Sequence, residues 1–533
     1  MKCSFTFCCF IFLCNVLQAQ YYNKVNRPDY SKSILKDSVW TMSNVITEEE
    51  TKEIITFLAS DQCKGRELGS VGNDTAAAYI ASKFAQYGIQ RIGEDNSYYQ
   101  NLGFRWVSWD KLSFNVNNSE FKVLWDYVAV PTENKDINIQ VDEVVFCGYG
   151  IEDANYSDYK NVNVKDKVIL IYHGEPTRTD GTSWITNSQF QSDWSTNFRK
   201  KVDAAKSHGV KMILVIEDKF KDLVDAKRSQ MISPVFLLDT EEITDNTQPN
   251  ICYLSSSMSS HLIGKSLNKV IHNRNKIKKK GKPLSFAFQS KVKIEQVKHV
   301  KAVDGKNIMA YFEGTEKKDE VLIISAHYDH IGMRNEDVFN GADDNGSGTT
   351  AVIQVAKALQ MAKQKGIKMK RSVLCLLVTG EEKGLLGSNY YVNNPRLDLN
   401  KTIGNINIDM IGRVDAKYLT DSSYLYVIGS DRLSSELHEI NESVNQKYSQ
   451  LILDYTYNAE NDPNRYYYRS DHYNFAEKRI PAIFFFNGTH EDYHRITDDI
   501  EKINIPLLAK RAKHVFFLTW ELVNREERIK VDR

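Results

Sequence analysis

Residues 372–378 read Ser-Val-Leu-Cys-Leu-Leu-Val. An apolar run with no polar alternation fits a strand buried on both faces, the kind found in a parallel or mixed sheet covered by helices. This run continues through Thr379-Gly380 into two glutamates, Glu381 and Glu382. The same form recurs along the C-terminal half. Val321–Ala326 runs into His327, Asp329 and His330; "NINI" (405–408) runs into Asp409; "AIFFFNG" (482–488) precedes His490, Glu491, Asp492 and His494. Between the strands, "GSGTTAVIQVAKALQMAKQKG" carries Val352, Val355, Ala356 and Leu359 at helical spacing, with Gly366 as its stop. Strand and helix alternate from about residue 295, which predicts an α/β mixed sheet flanked by helices.

The carboxyl ends of strands in an open α/β sheet form the usual ligand crevice. Five segments deliver ionisable groups to that edge: His327, Asp343-Asp344 in "NGADDNGSG", Glu381-Glu382, Asp409, and His490 or His494. Taken singly, a His-x-Asp is commonly a surface pair, "GADDNGSG" a turn, and "EEKG" an exposed helix start. Taken together they crowd carboxylates that would repel until one took a proton. A bound dication removes the repulsion, and two dications sharing one bridging carboxylate remove it better. Imidazole with carboxylate and no thiolate suits zinc, with cobalt or manganese as substitutes. Paired metals about 3.5–4 Å apart are a known hydrolytic arrangement.

The rest of the chain sets bounds. With 533 residues, more than one domain is expected. Lys and Arg total 69, as do Asp and Glu, so there is no basic excess of the kind nucleic-acid binding requires. Met1-Lys2, the apolar run 5–16 and Ala19 read as a signal peptide over 1–19, implying export to the periplasm or secretion. The run is short for a bilayer span, and no later stretch is long and apolar enough to cross one. Four of eight cysteines fall in that leader; Cys63, Cys147, Cys252 and Cys375 remain, with no Cys-x-x-Cys pair. A Cys147–Cys252 disulfide is left open.

Thr47 with Glu50 forms a capping box for a helix over 47–59, and a second helix is expected over 73–89. From about 120 to 270 the texture is that of a separate strand-rich unit without a catalytic cluster. "NKVIHNRNKIKKKGKP" (268–283) reads as a solvated basic connection.

"SAHYDHIG", "NGADDNGSG", "TGEEKGLLGS", "NINIDMIG" and "DYHRITDD" together resemble the motif series of the M28 family of zinc peptidases, in order and spacing across roughly 295–525. Residues 40–117 resemble that family's N-terminal segment. Residues 118–285 resemble the protease-associated (PA) domain inserted in many members, here expected to be β-rich. The resemblance implies a helix/sheet/helix zinc-exopeptidase fold over 295–530, binding two zinc ions. His327 and Asp409 would hold one metal, Glu382 and His494 the other, and Asp344 would bridge them. Glu381 would be the general base. Asp329 would hydrogen-bond and orient His327, and Tyr467 would face the crevice and donate to the tetrahedral intermediate. Asp343 and His330 would be neighbours rather than ligands, His490 a rejected competitor of His494, and Asp471-His472 structural.

The implied activity is aminopeptidase action on peptides. A carboxypeptidase of the same family would need a cation for the substrate carboxylate, for which Arg413, Arg469 and Arg495 are candidates. A glutaminyl-cyclase-like acyl transferase with one zinc, or a binding protein that has lost catalysis, fits the complete ligand set less well.

Overall fold

The computed structural model describes residues 25–241 and 247–533. The leader expected over 1–19 lies outside the described residues. The chain divides into two compact units, one of residues 1–103 with 304–533 and one of residues 104–303.

In the first unit the sheet is built from β1 (Phe286–Phe312, through its last residues), β2 (Lys317–His327), β3 (Arg371–Val378), β4 (Thr402–Ile408), β5 (Tyr424–Ile428), β6 (Ile452–Asp454) and β7 (Ala482–Phe486). β1 pairs antiparallel with β3; β3, β2, β4 and β7 follow side by side, all parallel. β7 then pairs antiparallel with β5, β5 parallel with β6, and β6 antiparallel with Val25–Asn26. The sheet is therefore mixed, as the uniformly apolar strands predict.

Burial on both faces is visible residue by residue in β3. Val373, Cys375 and Leu377 join one apolar cluster, whereas Leu374, Leu376 and Val378 join another. The first cluster takes in helices α1 (Glu48–Leu58), α2 (Val71–Gln86), α3 (Gly348–Gln364) and α4 (Ile505–Asn524), through residues such as Ile54, Ile80, Val352 and Leu518. The second takes Tyr391, Val392, Phe475 and Ile480 from the opposite side. Each such aliphatic side chain contributes about 1.5–3 kcal/mol by leaving water. The sequence signals at the helix ends hold: Thr47 Oγ1 accepts from the Glu50 amide at 3.3 Å, and Gly366 adopts φ +72° two residues after α3.

Register positions the site. His327, the last residue of β2, stands opposite Val378, the last of β3, and Ser325 stands opposite Asn407 of β4. His327, Glu381-Glu382 and Asp409 therefore leave neighbouring strands at one edge.

The second unit has its own core. Val168–Tyr172, Met212–Ile216 and Asn250–Leu254 form a parallel set, each wholly buried along its length. Ile137–Phe146 pairs parallel with Val168–Tyr172 and antiparallel with residues 286–296, with a bulge between Gln289 and Val292. Val235–Leu238 pairs antiparallel with residues 104–107. These flanking pairings carry the unit beyond 118–285 on both sides. The basic stretch expected as a connection is instead a helix, Leu267–Lys280, closed by Gly281 at φ +62°. Val270, Asn273 and Ile277 recur every third or fourth residue and seat one face, which the surrounding lysines and arginines mask in the sequence.

All four cysteines of the described chain are free thiols and buried, Cys147 and Cys252 included. Among the described residues, no helix is long and apolar enough to cross a membrane.

Candidate metal centre

Two groups of ligand atoms meet at the strand edge, and they share one residue. His327, Asp344 and Asp409 form one group; His330, Asp344, Glu382 and His494 form the other, each with its ligand atoms within 4.8 Å of one another. His327 Nε2 lies 3.5 Å from Asp344 Oδ1 and 3.4 Å from Asp409 Oδ1. His494 Nε2 lies 3.1 Å from Asp344 Oδ2 and 3.2 Å from Glu382 Oε2. Asp344 thus turns one oxygen to each group.

These atoms lack ordinary partners. Nε2 of His327 and of His494, and Oδ1 of Asp409, are buried without a hydrogen bond. An orphaned buried polar atom costs about 1–3 kcal/mol, and several aimed at one centre fit a cation placed among them. The donor set is imidazole and carboxylate oxygen, with no thiolate, as zinc, cobalt or manganese accept.

The loops are held from behind. Amides of Asp343 and Asp344 donate to the Asp498 carboxylate at 3.1–3.2 Å. The Asn345 side chain donates to the Ile408 carbonyl at 2.9 Å and accepts from the Gly348 and Met410 amides. Asp409 Oδ2 accepts from Ser470 Oγ at 2.7 Å, leaving Oδ1 turned to His327.

Charge crowding shows in the titration behaviour. Burial pushes the Glu381 carboxyl well above the carboxylate range, and neighbouring Glu382 and Asp409 add to it. Burial also raises Glu382, but the His330 hydrogen bond and the His494 imidazole beside it outweigh that and leave the carboxyl well below the usual range. Burial alone would lower the His494 imidazole; Asp344 and Glu382 beside it push it up to about 10.

All five expected ligands, His327, Asp344, Glu382, Asp409 and His494, are brought together, with Glu381 Oε2 3.9 Å from His327 Nε2. Three expectations need correction. His330, expected only as a neighbour, stands among the ligand atoms of the second group: its Nδ1 is 2.9 Å from Glu382 Oε1 and 3.7 Å from Asp344 Oδ2. The Asp329 carboxylate does not hydrogen-bond His327, from whose Nδ1 it stands 3.7 Å away. The Asp329 backbone carbonyl lies 3.1 Å from that nitrogen instead, while the carboxylate accepts the amides of Glu381 at 3.2 Å and Glu382 at 3.4 Å. Asp329 therefore fixes the glutamate pair as well as the histidine.

Tyr467 does not line the cavity. It packs against His472, Tyr468 and Tyr473 and under Arg432. The tyrosines beside Asp344, Glu381 and Asp409 are Tyr466 and Tyr493, with Met410, Phe484, Phe486, Thr489 and Arg469 completing the walls. His490 is engaged elsewhere, 3.2 Å from Asp343 Oδ2. Asp343 also accepts from Gly412, Ser347 and Asn487, so it is a scaffold for the loop. His472 is buried and stacked on Phe484, outside both groups.

The profile of peptidase family M28 matches residues 307–519. Aminopeptidase YwaD of Bacillus subtilis (strain 168) is 28% identical over 221 residues, covering 40% of this chain and 44% of that protein. Leupeptin-inactivating enzyme 1 of Streptomyces exfoliatus is 27% identical over 239 residues, covering 41% and 48%. The chain thus spans less than half the length of these relatives. In fold, it resembles the solved aminopeptidase from Aneurinibacillus sp. strain AM-1, with a TM-score of 0.53 at 17% identity, covering 93% of this chain and 98% of that one. Over residues 307–519, the chain is therefore similar to peptidase family M28.

Proposed function

We propose that this protein is an exported di-zinc aminopeptidase that hydrolyses the N-terminal peptide bond of peptides. The observation that carries the reading is the shared Asp344, one oxygen toward each of two groups of buried, convergent ligand atoms. His327 and Asp409 would hold one zinc, His494 and Glu382 the other, with His330 beside the second. Bound zinc supplies a Lewis acid and lowers the pKa of water toward neutrality.

Glu381 is the general base. Its carboxylate stands at the cavity wall, and its amide is fixed by Asp329. It takes a proton from the attacking water as the new C–O bond forms, and gives it to the amine nitrogen as the C–N bond breaks. Burial raises its proton affinity, and cationic charge at the centre draws it back into the ionised form that a base requires. Tyr466 and Tyr493 replace Tyr467 as hydroxyls at the cavity. The apolar walls, Met410, Phe484 and Phe486, suit an apolar N-terminal side chain. Relatives named as aminopeptidases support this choice.

Export rests on the leader at 1–19. The unit of residues 104–303 is assigned to the PA type, on its separate core and its position as an insertion in the peptidase unit.

One observation favours a second reading, carboxypeptidase. Arg469 lines the cavity and forms no ion pair among the described residues; it lies over the Tyr466 ring and 3.5 Å from Tyr493 Oη. Arg413, by contrast, is committed to Asp492 at 3.0 Å. A tripeptide presented free, N-acetylated and C-amidated separates the two. Loss of cleavage on acetylation alone establishes the aminopeptidase. Loss on amidation alone establishes the carboxypeptidase. No cleavage of any form by zinc-loaded protein overturns both.

A further inference from the structure

Arg66 is distant in sequence from the matched residues 307–519, in the turn Asp61–Arg66 between α1 and α2. Its side chain is buried, at 1% exposure, with no carboxylate bonded to it. A buried guanidinium needs its donors satisfied, and here main-chain carbonyls do it. Nε donates to the Tyr328 carbonyl at 2.8 Å. Nη1 donates to the Asn340 carbonyl at 2.7 Å and to that of Leu58. Nη2 donates to the Gly341 carbonyl at 2.9 Å.

Those carbonyls sit among the ligands. Tyr328 lies between His327 and Asp329, and Gly341 lies three residues before Asp344. The Arg66 carbonyl in turn accepts the His330 amide at 3.3 Å, and the Gly65 carbonyl accepts the Gly332 amide at 3.0 Å. The approach is close: a Cβ on Gly65 would fall 2.3 Å from the Gly332 oxygen and 2.5 Å from that of Phe339. Gly65 also has φ +64°, which glycine adopts at no steric cost.

We infer that Arg66 is a positioning residue for the metal centre: one rigid guanidinium fork ties the loop that carries His327 and His330 to the loop that carries Asp344. The inference rests on the metal reading above. The planar fork matters because a lysine ammonium is a point donor on a flexible stem and cannot hold carbonyls from three segments at once. Arg66 touches no expected substrate atom, so it acts through the ligands.

The test compares wild type, Arg66→Lys and Arg371→Lys. Arg371 is a second wholly buried arginine of the same unit, paired with Glu320 at 2.5 Å and bonded to the carbonyls of Arg525 and Glu526 at the start of β3. Zinc affinity is measured by competition with a chromogenic chelator, and amide exchange over 328–344 in zinc-free protein. Arg66→Lys should weaken zinc binding about 10- to 100-fold, the usual effect of losing a group that orients metal ligands, and should speed exchange in that loop. Arg371→Lys should change zinc affinity less than about 2-fold, whatever it does to the melting temperature. Arg66→Met, if it folds, should exceed the lysine variant. Wild-type affinity in Arg66→Lys, or equal weakening in both lysine variants, overturns the inference. Wild-type protein that binds no zinc overturns the metal reading and this inference with it.

Discussion

Asp344 and Asp158 are both buried carboxylates, and the protein treats them in opposite ways. Asp158, in the unit of residues 104–303, is fully enclosed and satisfied from within. Its Oδ2 accepts the amides of Tyr149 at 2.9 Å and Ile151 at 3.2 Å, and its Oδ1 accepts Tyr156 Oη at 2.9 Å. Gly148 leaves room for it, since a Cβ there would fall 2.0 Å from Oδ1. Asp344 instead faces three imidazoles, those of His327, His330 and His494, at 3.1–3.7 Å. A buried charge surrounded by its own donors organises a loop. A buried charge surrounded by other ligand atoms, some of them orphaned, organises something that is not protein. The distinction is one of where lone pairs point, and burial alone does not draw it.

Substitutions can break or sharpen this contrast. The largest effect is expected from Asp344→Asn, which should empty both metal positions together and abolish turnover. Zinc per chain, measured by mass spectrometry of metals, should fall from about two toward zero; a variant that retains one tightly held zinc would refute the shared ligand. Glu381→Gln should lower kcat by about 100- to 10,000-fold, the range for a lost general base, with zinc content kept. If metal leaves together with activity, Glu381 is a ligand and the proposed division of labour between the two glutamates fails.

His330→Ala should weaken one of the two zincs about 10- to 100-fold while sparing the other. A biphasic chelator titration in which only one phase shifts is the expected result, and an unshifted curve would return His330 to the role of neighbour. Smallest in its effect on chemistry is Asp158→Ala. It leaves three donors without an acceptor and should cost about 1–3 kcal/mol of stability, with kcat and zinc content unchanged; a change in either would erase the contrast drawn here.

The same carboxyl gives a pH test. Burial pushes Asp158 up to about 7 despite its three hydrogen bonds. Its folded value lies above its unfolded one, so its contribution to stability is complete below about pH 4 and is lost as pH rises through about 7. The denaturation midpoint of wild type relative to Asp158→Asn should therefore fall between pH 4 and 8. A difference that is flat or rising across that window would mean the carboxyl is not raised.

Much of the centre is legible in the sequence, because several apolar strands end in ionisable residues whose carboxylates would repel one another if they met without a cation. The strand ends bring His327, Glu381-Glu382, Asp409 and the histidines after β7 to one edge, and the resemblance picks the ligands among them, Asp344, Glu382 and His494 included. What escaped depends on turns and lone pairs. Whether His330 points inward is decided by the loop path after β2, which Arg66 sets through carbonyls that have no signature in the sequence. Asp329 has two acceptors, the carbonyl and the carboxylate, and spacing cannot say which one meets His327. Tyr466–Tyr468 form a single tight turn, where a shift of one residue swings a ring to another side; this is why Tyr466 lines the cavity and Tyr467 does not. The basic helix Leu267–Lys280 was hidden by its charge, although three residues were enough to seat it.

The two halves of the centre also differ in access. The His327 side chain is 1% exposed, whereas that of His494 is 36% exposed, stacked on Tyr493 in the loop after β7. On the proposed reading, the ion beside His494 exchanges with solvent quickly and the ion beside His327 slowly. The outer ion would then leave first, and brief dialysis against a chelator would yield a half-metallated species long enough lived to assay.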